Sequence, residues 1–190
     1  MKKRYCILLT SVVLLLFGFV VHAQRSTSVG MNFTIETYGN HFRPGLGATI
    51  EHRFTKKRGI ESGLYYRNYT ANEIYTIYNG TQFVSHAAIV AQKFISVPFL
   101  YKFYSKLINV SAGLTFDFYV GYRHKNKSDQ FAITGYSIDP NMGIGVQVKL
   151  SKPIRIDENL FLEPELRFNP VITYLRTYGG LGITAKYRLK

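Results

Sequence analysis

"FISVPFLYKFYS", residues 94–105, is the stretch whose reading decides the fold. In an extended chain successive side chains point to opposite sides. Ile95, Val97, Phe99, Tyr101 and Phe103 then share one face, and Ser96, Pro98, Leu100, Lys102 and Tyr104 the other. One face is oily, while the other places a lysine and a proline where a soluble strand would be packed or wet. A membrane barrel reconciles the two, with lipid against the apolar side and a polar lumen against the charged side.

The same alternation runs along the chain, and no useful stretch shows helical periodicity. Segment 28–38 sets Val29, Met31, Phe33 and Ile35 against Asn32, Thr34 and Glu36. Segments 45–54, 59–69 and 109–122 repeat the pattern, as do 141–150, 160–169 and 180–189. With the opening stretch they make eight strands of roughly ten residues, the length that crosses a bilayer at a tilt. Short turns are expected at 55–58 and 105–108 and a moderate one at 151–158. Longer loops are expected at 39–44, 70–92, 123–140 and 170–179, and Asn79-Gly80 suits a tight hairpin turn within the longest. Short connections at one end and long ones at the other mark an outer-membrane barrel. The expected fold is all-β: an eight-stranded, antiparallel, up-and-down transmembrane barrel of the OmpA/OmpX type, with both termini periplasmic.

The charges segregate by face. Glu36, Glu51, Glu61, Asp117, Glu163 and Glu165 are assigned to the lumen with Arg53, Arg67, Lys102, Lys149, Arg167, Lys186 and Arg188. The set is close to neutral, and strand order makes Glu61 and Asp117 the expected partners of Lys102. A lipid-facing charge at the midplane would cost about 2–4 kcal/mol, which explains its scarcity on the other face. Period 2 also fits a soluble, lipocalin-like binding barrel with the faces exchanged. The near-neutral charged face and the aromatics near strand ends favour the membrane. Tyr65, Tyr66, Tyr69, Tyr101, Phe103, Tyr104, Tyr119, Tyr122, Tyr174, Tyr178 and Tyr187 are read as interfacial girdles. Pro98 and Pro164, which cannot donate to a ladder, are expected at bulges or rims.

Residues 1–23 read as a cleaved signal peptide: Lys2, Lys3 and Arg4, then "CILLTSVVLLLFGFVV", then "VHA" before Gln24. Residues 24–190 form the barrel domain, without a cysteine, since the one cysteine is Cys6. Thiolate chemistry and disulfides are therefore excluded from it. Three of the 24 basic residues lie in the leader, leaving 21 against 11 acids. In an exported chain that balance points to anionic lipid rather than nucleic acid.

"FISVPFLYKFYS" resembles the fourth-strand motif of the small outer-membrane β-barrel proteins of Bacteroidetes, the PorT-like "porin family" with its outer membrane protein beta-barrel domain. Phe94, Val97, Pro98, Lys102 and Phe103 carry the match. "GIESGLYYRNY" (59–69) is similar to that family's third strand and "NMGIGVQVKL" (141–150) to its sixth. The resemblance implies an eight-stranded outer-membrane barrel with no agreed activity; PorT itself is tied to secretion and gliding machinery. Such barrels usually end on an aromatic residue read by the assembly machinery, and here Tyr187 stands three residues from the end.

No residue set points to catalysis, a cofactor or a metal. His41, His52, His86 and His124 are scattered, and the adjacent Ser85–His86 pair would point to opposite sides of a strand. Glu163 and Glu165 share a face about 7 Å apart, but Arg167 two residues on makes an ion network the simpler reading. "GLGAT" (45–49) precedes no helix and so forms no phosphate loop. The expected protein is a non-enzymatic outer-membrane barrel with a side-chain-plugged lumen and exposed loops as an envelope or interaction surface. Its expected partners are outer-membrane lipid and lipopolysaccharide, the assembly machinery, and an extracellular or secretion-complex partner at 70–92. The alternative is a narrow channel or a PorT-like accessory of protein secretion.

Overall fold

The computed structural model describes residues 26–38, 41–78, 80–124 and 137–189. The segment read as a signal peptide, Asn79 and most of the 123–140 loop lie outside the described residues. Eight long strands follow one another: β1 Ser26–Tyr38, β2 His41–Arg53, β3 Arg58–Tyr78, β4 Phe83–Phe103, β5 Asn109–His124, β6 Met142–Ser151, β8 Leu160–Val171 and β9 Arg176–Arg188. A two-residue strand, β7 Ile154–Arg155, pairs with β8 inside the connection read as a plain turn.

Each long strand pairs antiparallel with its sequence neighbour, β1 pairs with β9, and β6 pairs with β8 across the two-residue insertion. The sheet closes on itself, so no edge runs along the wall. Ser28 lies opposite Arg188 and Ser26 opposite Arg53. Both ends of the described chain therefore sit at the end of the barrel that carries the tight turns, called here the turn end. These turns are set by hydroxyls at their first position. Thr55 Oγ1 accepts from the backbone of Lys57 (3.2 Å) and Arg58 (3.0 Å). Ser105 Oγ does the same for Leu107 (3.2 Å) and Ile108 (3.1 Å).

At the opposite end the strands run further than their alternation. Residues 70–92, expected as a loop, continue β3 and β4 in unbroken register to Tyr78 opposite Phe83, with Gly80 at φ +90° in the turn. The loop expected at 170–179 shrinks to a turn over 172–175. Val171 still pairs with both Gly145 and Arg176.

The faces are those of a membrane barrel. Apolar side chains point out: Leu181 is 67% exposed, Met31 63% and Phe99 58%. Polar side chains fill the interior, where Lys102 and Lys149 are 0% exposed. A lipocalin-type barrel would have these reversed. The girdle reading needs a correction. Tyr66, Tyr101, Phe103 and Tyr187 do face outward, but Tyr65, Tyr69, Tyr104 and Tyr178 are buried. Their phenols fill an eight-stranded interior that is just wide enough for side chains.

The prolines sit where the ladder is already interrupted. The β3–β4 pairing skips between Ser62–Phe99 and Tyr65–Ser96, and Pro98 lies in that gap, accepting from Ser62 Oγ at 2.8 Å. It is neither at a bulge nor at a rim. Pro164 lies within β8, opposite Ile183 of β9, between the last β6–β8 pair, Ser151–Glu165, and the β7–β8 pair Ile154–Leu162. The bulge falls between Lys93 and Phe94, opposite Gly121 at φ +147°, a backbone that favours glycine.

Candidate functional site

Among the described residues the interior is where chemistry-bearing side chains converge. Alternation sends at least one acid or base inward from every long strand: Glu36 (β1), Glu51 (β2), Glu61 and Arg67 (β3), Lys102 (β4), Asp117 (β5), Lys149 (β6), Glu163, Glu165 and Arg167 (β8), and Lys186 (β9). All eleven are buried.

Toward the turn end two ammonium groups share three carboxylates. Lys102 Nζ lies 2.8 Å from Glu51, 3.3 Å from Glu61 and 2.5 Å from Glu163. Lys186 Nζ lies 2.6 Å from Glu51, 3.5 Å from Glu61 and 2.5 Å from Glu163. An ammonium has three donors, so each meets one carboxylate per hydrogen. Lys149 pairs with Glu61 and, at 3.1 Å, with Glu165. Ser151 donates to Glu163, and Arg167 pairs with Glu165 while its guanidinium lies 4.4 Å from the centre of the Tyr65 ring. Asn32 Nδ2 donates to Glu165 at 2.8 Å and to Thr184 Oγ1 at 2.6 Å.

Higher up, Arg67 bridges Glu36 (3.2 Å), Asp117 (3.3 Å) and Asn169 Oδ1 (2.6 Å). Asn169 is fixed in turn through Thr115 (3.0 Å) and the Val146 carbonyl (2.8 Å). Asp117 is therefore not a partner of Lys102, and Glu163 from across the lumen takes that place. Register explains it. Lys102 lies opposite Ser111 while Asp117 lies opposite Ser96, six residues or about 20 Å along the wall.

Both ends are stoppered. At the hairpin end Phe94, fully buried, meets Tyr119 and Tyr174 with ring centroids 5.8 and 5.7 Å apart. Arg176 covers the Tyr69 ring at 3.7 Å and donates to Gln92 at 2.7 Å. At the turn end Tyr104 donates to Glu51 at 2.7 Å, under the Arg53 guanidinium at 4.1 Å. Burial, and then the Glu51 carboxylate, raise the Tyr104 hydroxyl above the ordinary tyrosine value, so it stays a donor. Arg53 and Arg188, assigned to the lumen from their alternation, sit at this rim. Arg53 donates to the carbonyls of Thr55 (3.2 Å) and Lys56, and Arg188 lies 4.5 Å from the centre of the Phe161 ring. A cavity of about 70 Å³ remains below Lys102 and Lys186.

The arrangement fills the described interior with side chains whose charges nearly balance, six acids against five bases. Glu163 and Glu165 are each committed to cations, so neither is poised as a general acid. His52 is bonded to Thr27 Oγ1 at 3.0 Å on the outer face. The side chains of His41, His86 and His124 lie outside those described. Among the described residues no group of three His, Cys, Asp or Glu side chains is placed to hold a metal. Sequence reasoning left out the neutral members of the network, namely Asn32, Ser151, Asn169 and Thr184. Their inward parity was the available signal.

No protein-family model matches the chain, and no curated protein matches its sequence. Among solved structures, the outer-membrane protein OprG from Pseudomonas aeruginosa is similar over 88% of this chain and 96% of its own, with TM-score 0.53 and 10% identity. Ail, the attachment invasion locus protein of Yersinia pestis, aligns over 87% of this chain and 97% of its own, with TM-score 0.45 and 11% identity. A major outer membrane protein from Thermus thermophilus aligns over 87% and 100%, with TM-score 0.44 and 14% identity. At these identities the OprG likeness is one of fold: the chain has the architecture of a small, eight-stranded outer-membrane barrel.

Proposed function

We propose that the chain is a non-enzymatic barrel of the outer membrane, its lumen filled by its own side chains, its termini periplasmic and its β3–β4 hairpin outside the cell as an envelope or interaction surface. The observation that carries this is the inverted burial: a salt-bridged polar interior inside an exposed apolar wall. Only hydrocarbon is a good solvent for such an exterior, and closure of the barrel removes the open sheet edge that hydrocarbon would not tolerate. The test is reconstitution of the purified protein in planar bilayers. A plugged lumen gives no stable conductance steps, and large, long-lived steps overturn the reading.

The second reading is a secretion accessory, the role that the PorT-like resemblance adds. The hairpin favours it: Asn72–Tyr78 pairs only with β4 among the described pairings, which leaves a strand edge that a partner chain could extend. Deletion of the gene with loss of secreted proteins, together with co-purification of secretion components, supports it. Normal secretion in the deletion strain removes it.

A further inference from the structure

On the outer surface at the hairpin end, β2 and β3 separate. Their ladder stops at Leu46–Tyr66; β2 goes on with β1 to His41, and β3 goes on with β4 to Tyr78. The gap is a concavity of about 360 Å³ lined by Arg43, Lys93 and Arg123 with Pro44, Tyr66 and Asn68. Three cations therefore line it with no acid among the described lining residues. Every buried cation of the lumen faces carboxylates, whereas none of these three has an ionic partner among the described residues.

Two features build the cluster rather than leave it to chance. The β5 bulge adds one residue between Tyr119, opposite Phe94, and Gly121, opposite Lys93. That extra residue flips the alternation, so Arg123 lies opposite Ala91 on the outer face beside Lys93 instead of following Asp117 into the lumen. Arg43 is held by a 2.5 Å hydrogen bond from Nη2 to Thr70 Oγ1, and its buried Nε has no acceptor among the described residues. The level is defined as well. Leu46, Leu64, Ile95 and Val120 are exposed apolar residues just below. Lys93 is two residues beyond Ile95, about 7 Å further along the strand.

We propose that this concavity binds the phosphoryl group of an outer-leaflet glycolipid, the phosphorylated glucosamine headgroup of lipid A. Arg43, Lys93 and Arg123 hold the phosphate oxygens, Tyr66 and Pro44 offer a flat surface to the sugar ring, and acyl chains lie along Leu46, Leu64 and Ile95. A phosphate monoester carries nearly two negative charges, and guanidinium forks suit its oxygens. The choice of an outer-leaflet lipid rests on the hairpin facing outside, as proposed above.

The experiment is native mass spectrometry of the full-length protein, purified in detergent, with four probes: bisphosphorylated lipid A, the same lipid without phosphates, phosphatidylglycerol and inorganic phosphate. The expected result is retention of intact lipid A, weakened about tenfold by removing the phosphates or by Lys93→Ala/Arg123→Ala. Arg43→Lys, which keeps the charge and loses the fork, weakens it by about threefold. Lys56→Ala/Lys57→Ala, the same charge removed at the turn end, leaves it unchanged. Heat-modifiable gel mobility shows that each variant is folded. Equal weakening by both alanine pairs means nonspecific charge attraction and overturns the site, as does unchanged binding in Lys93→Ala/Arg123→Ala. Tight inorganic phosphate binding overturns the lipid assignment. Preference for phosphatidylglycerol through the same residues overturns the glycolipid assignment; surface proteolysis of the hairpin reports separately whether the orientation has failed too.

Discussion

The Lys102 ammonium touches carboxylates from β2, β3 and β8, so its removal leaves all three short of one of the cations they share. Lys102→Met is expected to destabilise the barrel by about 3–5 kcal/mol, the scale of a broken buried pair. The measurement is the urea midpoint of the heat-modifiable gel band in detergent. A double-mutant cycle sharpens it: Lys102→Met with Glu163→Gln should couple, and Lys102→Met with Asp117→Asn should add. Coupling to Asp117 instead would restore the partner expected from strand order. Leu114→Lys is the contrasting change, a charge on the outer face where Leu114 is 49% exposed, and it should cost about 2–4 kcal/mol near the midplane. At this scale the inward parity of Lys102 was legible in twelve residues of sequence. Its partners were not, because parity says which face a charge takes and only register says how far along the wall it sits. Chords across the lumen, such as Lys102 to Glu163, appear in neither.

Strand identity was legible wherever one face is apolar, and strand length was not. Beyond Tyr69 the period fails in the sequence: the apolar positions 74 and 77 have opposite parity, so the pattern gives no sign that β3 continues to Tyr78. A two-stranded ribbon outside the wall has no oily side to advertise. Gly80 was the signal that survived, because the turn needs a residue tolerant of φ +90°; Asn79 lies outside the described residues. The hairpin extends about 20 Å past the last β4–β5 pair, Val90–His124. It contains no lysine or arginine between residues 70 and 92. On intact cells chymotrypsin should therefore cut within 75–83 while trypsin spares the hairpin. Trypsin should reach Lys56, Lys57 and Arg58 only after the outer membrane is permeabilised. Trypsin cleavage at those turn residues on intact cells, with the hairpin spared by chymotrypsin, would reverse the orientation.

For the whole molecule, the question of which face is inside was answered in the sequence by charge balance, and the structure shows why that worked. Six acids and five bases fill a volume that admits little else. The purified chain should accordingly refold to a heat-modifiable species only with detergent or bilayer present and should aggregate in plain buffer; a soluble, folded monomer would contradict the exposed belt. One feature of the network bears on how such an object is made. All eight long strands contribute at least one of its charges, from Glu36 on β1 to Lys186 on β9. A sheet missing any one strand therefore leaves ions of the network short of a partner and a polar face turned toward hydrocarbon. Half-built forms are worse than either end state, so closure is cooperative, and the growing sheet must keep its inner side hydrated until β9 meets β1. The network that fills the finished barrel thus acts during assembly as a check on completeness, satisfied only when the last strand arrives.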